Sequence, residues 1–382
     1  MSAPEKLHIM IVAGEPSGDV LGAELMEAFG KIPEKPELHF SGIGGQEMEK
    51  QGLQSLFPMS EISHIGVTSV LARIVPLLAR IRQTAEHAIK KQPDIVVMID
   101  SPDFTHRVAK HIRKYCPELP IIDYVAPSVW AWREGRIAKM RNIFSHILSV
   151  FPFEPDFFAN HNGPPCSYIG HSALQKIQNK EAGKAFRLRH DIGEKETLLA
   201  LLPGSRKSEV ESLLPVFLKT IEQLPAVKVL LITPVSLPAS IEKKIGLLPL
   251  HIIHADERYE AFAASNLALA ASGTVALELA LARIPMVIAY KMSFLNQFLL
   301  SRLASIPSVV LPNLIVGKPI IEEFLGRRCK PNLICHSLLQ LMEDKKHYEN
   351  CLKGLDECIA HMQTVKPPSL SAAEKILEIA RH

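Results

Sequence analysis

Short apolar runs recur along this chain, each ending at Gly, Pro, Ser or Asp and each followed by residues with helical spacing. In the first half they are His8–Ala13, Asp94–Ile99, Ile121–Val125, His146–Val150 and Ser167–Ile169. In the second half they are Leu198–Leu202, Val227–Ile232, His251–Ile253, Leu267–Ala270 and Met286–Tyr290. Runs without polar alternation fit strands buried on both faces, which parallel sheets require. Between the two series, Gln175 to Glu196 is polar and charged, the composition of a boundary. The expected architecture is α/β, with two Rossmann-like doubly wound parallel-sheet domains facing a cleft. The expected limits are 1–172, a linker at 173–196, and a second domain at 197–360. The segment 361–382 is expected to end in a helix whose apolar Ala373, Ile376, Leu377 and Ile379 dock it rather than leave it free. Gly42-Ile43-Gly44-Gly45 reads as a turn.

Composition narrows this picture without redirecting it. A chain of 382 residues with 47% hydrophobic and 22% charged positions can build two full cores. A formal net charge of +3 does not make a nucleic-acid surface. The six cysteines form no C-x-x-C pair, which points away from a zinc site and towards reduced thiols in a cytoplasmic compartment. The N-terminus lacks the charge and apolar pattern of a secretory signal. The apolar tract Leu267–Tyr290 is divided by Ser272-Gly273-Thr274, Glu278, Arg283 and Pro285, so it reads as strand, helix and strand rather than a membrane span. His251 and His254 have no third partner to make a metal set.

Candidate chemistry gathers where the runs end, because ligands of open α/β sheets bind at the carboxyl ends of strands. Leu198 to Leu214 is a strand, a turn at Pro203-Gly204-Ser205 and a helix start. Unpaired amides there can hold a phosphate, and Arg206 adds a forked donor. An ordinary turn beside a solvated arginine explains the same residues. Ser272-Gly273-Thr274 repeats the device, and Glu278, one helical turn on, is placed to take ribose hydroxyls or merely to complete a cap. Lys291 and Asn313 are further candidates for phosphate and sugar.

In the first half, Gly14 and Gly18 bracket Glu15 and Ser17, and Asp19 follows; the carboxylates of Glu15 and Asp19 suit sugar hydroxyls better than phosphate. The G-x-x-x-G spacing is not the dinucleotide fingerprint. Asp100 closes a buried strand and is the stronger general-base candidate; Asp103 is equally explained as a helix cap. Ser128, Trp130, Trp132 and Arg133 form a loop that is either a packing plug or the wall of an amphipathic ligand site. From Ile62 to Ile89, Val67, Val70, Leu71, Ile74 and Leu77 recur with Arg73, Arg80 and Arg82 interleaved. Such a helix can face a core or lie on an anionic bilayer.

Taken in order, GEPSGD (14–19), DSPDF (100–104), APSVWAWR (126–133), LPGSRKSEV (202–210), ASGTVALELAL (271–281), AYKM (289–292) and LPN (311–313) resemble the lipid-A-disaccharide synthase family over nearly the whole chain. The resemblance implies a GT-B glycosyltransferase fold and an inverting reaction without a metal or other cofactor. UDP-2,3-diacylglucosamine would be joined to 2,3-diacylglucosamine 1-phosphate, giving UDP and a β-1,6-linked disaccharide. It implies Asp100 as base towards the acceptor's 6-hydroxyl, Ser205, Arg206 and the 272–274 turn against departing UDP, and Glu278 on the ribose. Lys291 stands where some members carry arginine. The resemblance further implies that the segment 361–382 packs back on an N-terminal domain, its own or a partner's, and that the protein is a homodimer on the anionic cytoplasmic face of the inner membrane.

Overall fold

The computed structural model describes residues 6–63, 70–132, 134–233, 250–291 and 307–381. Val67 and Arg133 lie outside them, and Val70, Leu71, Arg73, Ile74 and Trp132 are described by backbone alone. The chain divides into two compact units, Met1–Ser172 with Thr364–His382, and Ala173–Gln363.

In the first unit, β1 (Lys6–Ala13), β2 (Glu37–Ile43), β3 (Ile95–Ile99), β4 (Ile121–Tyr124), β5 (His146–Ser149) and β6 (Cys166–Tyr168) form a parallel sheet in the order β2-β1-β3-β4-β5-β6. Side chains alternate between faces, as the pleat demands. Ile9, Ile11, Val97 and Ile99 share one core with Leu25 and Phe29 of the helix Pro16–Lys31. Ala372, Ala373, Ile376 and Leu377 of the helix Pro368–Ala380 complete that core, so the end of the chain is part of its own first unit. Met10, Val12, Val96 and Met98 face the other core, with Ile81 and Ala85 of the helix Val70–Lys91 and Phe104 and Val108 of the helix Pro102–Tyr115.

That core takes up part of the helix expected to face a membrane. Leu77 packs against it, whereas Val75 (73% exposed) and Leu78 (48%) point outward. Arg80 is bound to Glu61 at 2.6 Å and lies 4.6 Å from the Phe57 ring centre, so it serves the protein's own surface.

In the second unit, β7 (Leu198–Leu202), β8 (Lys228–Ile232), β9 (Leu250–Ile253), β10 (Leu267–Ala271), β11 (Met286–Tyr290) and β12 (Glu322–Leu325) are parallel in the order β12-β11-β10-β7-β8-β9. The polar stretch expected as a linker contains the helix Lys180–Arg189, which buries Gly183, Phe186 and Arg187 within this unit. Arg187 donates to the carbonyls of Ala264, Gly193 and Glu196 and to Asn266 Oδ1. A buried guanidinium with that many acceptors is a staple between segments, although in sequence it looks like a surface charge.

Two strands escaped the sequence pattern, β2 and β12, and both are sheet edges. Gly42, expected in a turn, sits in β2 opposite Ile11 with φ +134°, and a Cβ there would lie 1.8 Å from the Ile11 carbonyl oxygen. Both sheets reverse their winding once, between β1 and β3 and between β7 and β10. The carboxyl ends of those four strands lead into the turns already singled out.

Candidate functional site

A cavity of about 420 Å³ opens at the β7/β10 reversal of the second unit. Gly204, Ser205, Arg206, Ser272, Gly273, Thr274 and Glu278 all line it, so the structure brings together seven residues chosen from two distant stretches. Lys291 and Asn313 are not among its lining residues. Asn313 is buried, its Nδ2 donating to Ser308 Oγ and the Ile321 carbonyl while Oδ1 accepts from the amides of Ile320 and Ile321. With that amide fully engaged, it shapes the approach to β12 and has nothing left for a sugar.

The glycines of the two turns differ in purpose. Gly204 has φ +119°, and a Cβ on it would approach Glu209 to 2.7 Å, so backbone and packing both demand glycine. At Gly273 a Cβ would meet nothing within 4 Å. Among the described residues no neighbour requires that glycine; its effect is to leave room in the cavity. Ser272 Oγ donates to the Val309 carbonyl at 3.2 Å rather than capping the following helix.

One expectation about the first turn changes. The amides of Ser205 and Arg206, expected to await a phosphate, both donate to Glu209 Oε2 at 3.2 Å. Glu209 is the third residue of the helix Lys207–Ile221, and its carboxylate folds back over the helix start as an internal anion. The Arg206 side chain is 79% exposed and lies 3.3 Å from Glu209 Oε1, so its guanidinium is available to a ligand.

Glu278 Oε1 accepts from Arg258 Nη2 at 3.1 Å and from the Tyr259 hydroxyl at 2.9 Å, rather than capping its own helix. Arg258 also lines the cavity. Burial raises the Tyr259 hydroxyl to about 12, and Glu278 adds to the rise, so it stays a donor at neutral pH. Glu209, Arg258 and Tyr259 were not reached by the sequence reading. The signals were modest: a Glu three residues into a helix, and an Arg-Tyr pair beyond β9.

In the first unit the corresponding reversal is lined by acids. Asp100 directly follows β3 with φ 54° and Ser101 comes next with φ 48°, two consecutive left-handed residues that are not glycine. Such backbone costs about 1–3 kcal/mol per residue and concentrates at functional positions. Ser17 Oγ donates to Asp100 Oδ2 at 3.2 Å. The approach needs glycines: a Cβ on Gly14 would lie 2.5 Å from Ser101 Cβ, and one on Gly18 would lie 3.3 Å from the Ile99 carbonyl oxygen. Glu15 and Ser17 are exposed beside Asp100's strand end.

Asp19 corrects its expected role. It is 5% exposed, and its carboxylate accepts from the amides of Gly45, Glu47 and Met48 at 2.7, 3.0 and 3.1 Å. It caps the short helix Gln46–Lys50 from a distance, so no sugar reaches it. Asp103 is exposed in the first turn of its helix, while Ser101 holds the cap position.

Trp130 behaves as the packing plug. Its indole N–H donates to buried Glu154 Oε1 at 3.2 Å, and its ring meets Phe151 and Phe153 edge-on. Burial pushes Glu154 up to about 8. Nearby Asp123 is also held above the usual carboxylate range by burial, although His106 Nε2 sits 2.9 Å from it and opposes the shift. Ser128 is exposed just before the helix Val129–Trp132.

Comparison with known proteins gives this geometry a context. Residues 9–378 match the family model described as lipid-A-disaccharide synthetase. A lipid-A-disaccharide synthase of Rhodospirillum centenum is 40% identical over 98% of this chain and 94% of its own. The one from Nitrobacter winogradskyi is 40% identical over 100% and 97%. Among solved structures, the kitacinnamycin glycotransferase aligns with TM-score 0.64 at 14% identity, covering 99% of this chain and 100% of its own. UDP-GlcNAc 2-epimerase from Neisseria meningitidis, bound to UDP-GlcNAc, aligns with TM-score 0.61 at 13% identity, covering 98% of both. These structures establish a shared GT-B-type fold, and the full-length sequence match decides the branch: the chain belongs to the lipid-A-disaccharide synthase family of glycosyltransferases.

Proposed function

We propose that this protein joins UDP-2,3-diacylglucosamine to 2,3-diacylglucosamine 1-phosphate, releasing UDP and the β-1,6-linked lipid A disaccharide 1-phosphate, with inversion at the anomeric carbon. The observation that carries the reading is the family match over residues 9–378, which takes in both strand-end sites. In the second unit, Arg206 and the Ser272-Gly273-Thr274 turn receive the diphosphate and Glu278 the ribose, stabilising UDP as it departs. In the first unit, Asp100 takes the proton from the acceptor's 6-hydroxyl, oriented by Ser17. The strained backbone at Asp100 supports that role over exposed Asp103, because it fixes the carboxylate's direction. The acylated pair should be turned over, while water-soluble UDP-N-acetylglucosamine offered alone should not. Efficient turnover of the soluble sugar without acylated acceptor would replace this reading with an epimerase-like one.

The substrates' acyl chains call for contact with a bilayer. Among the described residues no helix is long and apolar enough to cross one. Exposed Val75 and Leu78, with the arginine-bearing helix around them, support peripheral attachment to the anionic cytoplasmic face of the inner membrane. Serine at both positions should reduce co-sedimentation with phosphatidylglycerol vesicles, and undiminished binding would count against the idea. Assembly as a homodimer rests on the family resemblance; a monomer mass by sedimentation would remove it.

A further inference from the structure

Glu278 is held through one of its two carboxylate oxygens by a pair of neighbouring residues. Arg258 Nη2 reaches both the Tyr259 hydroxyl (2.8 Å) and Glu278 Oε1 (3.1 Å), and the same hydroxyl donates to Oε1 at 2.9 Å. The three groups close a ring around one carboxylate oxygen. The guanidinium carbon also lies 4.6 Å from the centre of the Tyr259 ring, which restrains the arginine from its other face. Among the described residues Oε2 has no hydrogen bond, and Glu278 and Arg258 both line the cavity.

The arrangement carries a cost. Among the described residues Arg258 Nε is buried with no hydrogen-bond partner, and an unmet buried donor is destabilising. Its guanidinium is not turned to satisfy that donor. Here its direction is set by Glu278 and Tyr259 instead.

We propose that Arg258 and Tyr259 are positioning residues for the nucleoside: by saturating Glu278 Oε1 they direct Oε2 at the ribose hydroxyls of the UDP-sugar. This rests on the reading of Glu278 as the ribose contact and adds two residues that act through it. The clamp sets selectivity for a ribonucleoside over its deoxy counterpart, because only the hydroxyls meet Oε2. It leaves the diphosphate contacts at Arg206 and the 272–274 turn untouched.

The test is binding of UDP and of 2′,3′-dideoxy-UDP to the full-length protein by calorimetry. The wild type should prefer UDP by about tenfold or more. Glu278→Gln should remove that preference. Tyr259→Phe, which keeps the ring and loses only the hydroxyl, should lower UDP affinity several-fold and leave dideoxy-UDP binding unchanged. Arg258→Met should do the same more strongly, and Arg258→Lys should restore part of the loss. If Glu278→Gln leaves the preference intact, the ribose assignment itself has failed and the clamp falls with it. If Glu278→Gln removes the preference but Tyr259→Phe and Arg258→Met do not, the ribose contact stands and the clamp is refuted. Equal losses for both nucleotides would make Arg258 a phosphate or packing residue and would also overturn it.

Discussion

The two strand-end sites share a topology and differ in almost everything else. Each lies where a six-stranded parallel sheet reverses its winding, at β1/β3 in one unit and β7/β10 in the other. In the first unit the turn is strained by side-chain-bearing residues, Asp100 and Ser101 at positive φ, and buried acids stand behind it at Asp123 and Glu154. In the second the positive φ falls on Gly204, and Gly273 leaves space unfilled. The topology thus supplies a location, and the loop residues decide whether it becomes a fixed carboxylate or an anion-receiving hollow.

The sharpest way to break that comparison is Asp100→Ala. Turnover should fall by about 10² or more while UDP affinity stays unchanged, since the donor belongs to the other unit. A matching loss of UDP binding would deny the division of labour.

The acid-backed character of the first unit is tested by pH. Glu154 keeps its proton up to about pH 8, whereas an unfolded glutamate releases it near 4.5. The folded state therefore binds more protons across that window, and this contribution to stability is full below it and lost as pH rises towards 8. The slope is at most about 1.4 kcal/mol per pH unit. Glu154→Gln has no proton to lose, so its urea midpoint should depend less on pH between about 5 and 8. Equal slopes for the two proteins would show that Glu154 is ionised in the fold.

The smallest effect is expected at the internal anion of the second unit. Glu209→Gln keeps an oxygen for the Ser205 and Arg206 amides but removes a negative charge that competes with the diphosphate. UDP should bind about threefold to tenfold more tightly, an order of magnitude set by one partly screened charge. Weaker binding would mean the carboxylate holds the turn in its receptive shape.

What was legible in the chain follows from burial. The eight interior strands announce themselves because a strand covered on both faces is a continuous apolar run, as at Ile95–Ile99 and Leu198–Leu202. Edge strands β2 and β12 escape because one side meets solvent and polar residues intrude, as at Glu37, His39, Glu322 and Glu323. The helix Lys180–Arg189 reads as a linker in sequence because its buried Arg187 is satisfied by groups far along the chain, the Ala264 carbonyl and the Asn266 side chain.

The same divide runs through the sites. The order of the glycine turns, the strand-ending Asp100 and the family to which they belong are written in the sequence, since local turn chemistry and periodicity survive without tertiary contacts. Only folding decided which polar groups are spent. Asp19 and Asn313 are consumed by backbone amides, Trp130 by Glu154, and the Ser205 and Arg206 amides by Glu209. Only folding, too, joined Arg258 and Tyr259 to Glu278. A hydrogen bond depends on distance and direction between groups far apart in the chain, and no reading of residue type alone supplies either.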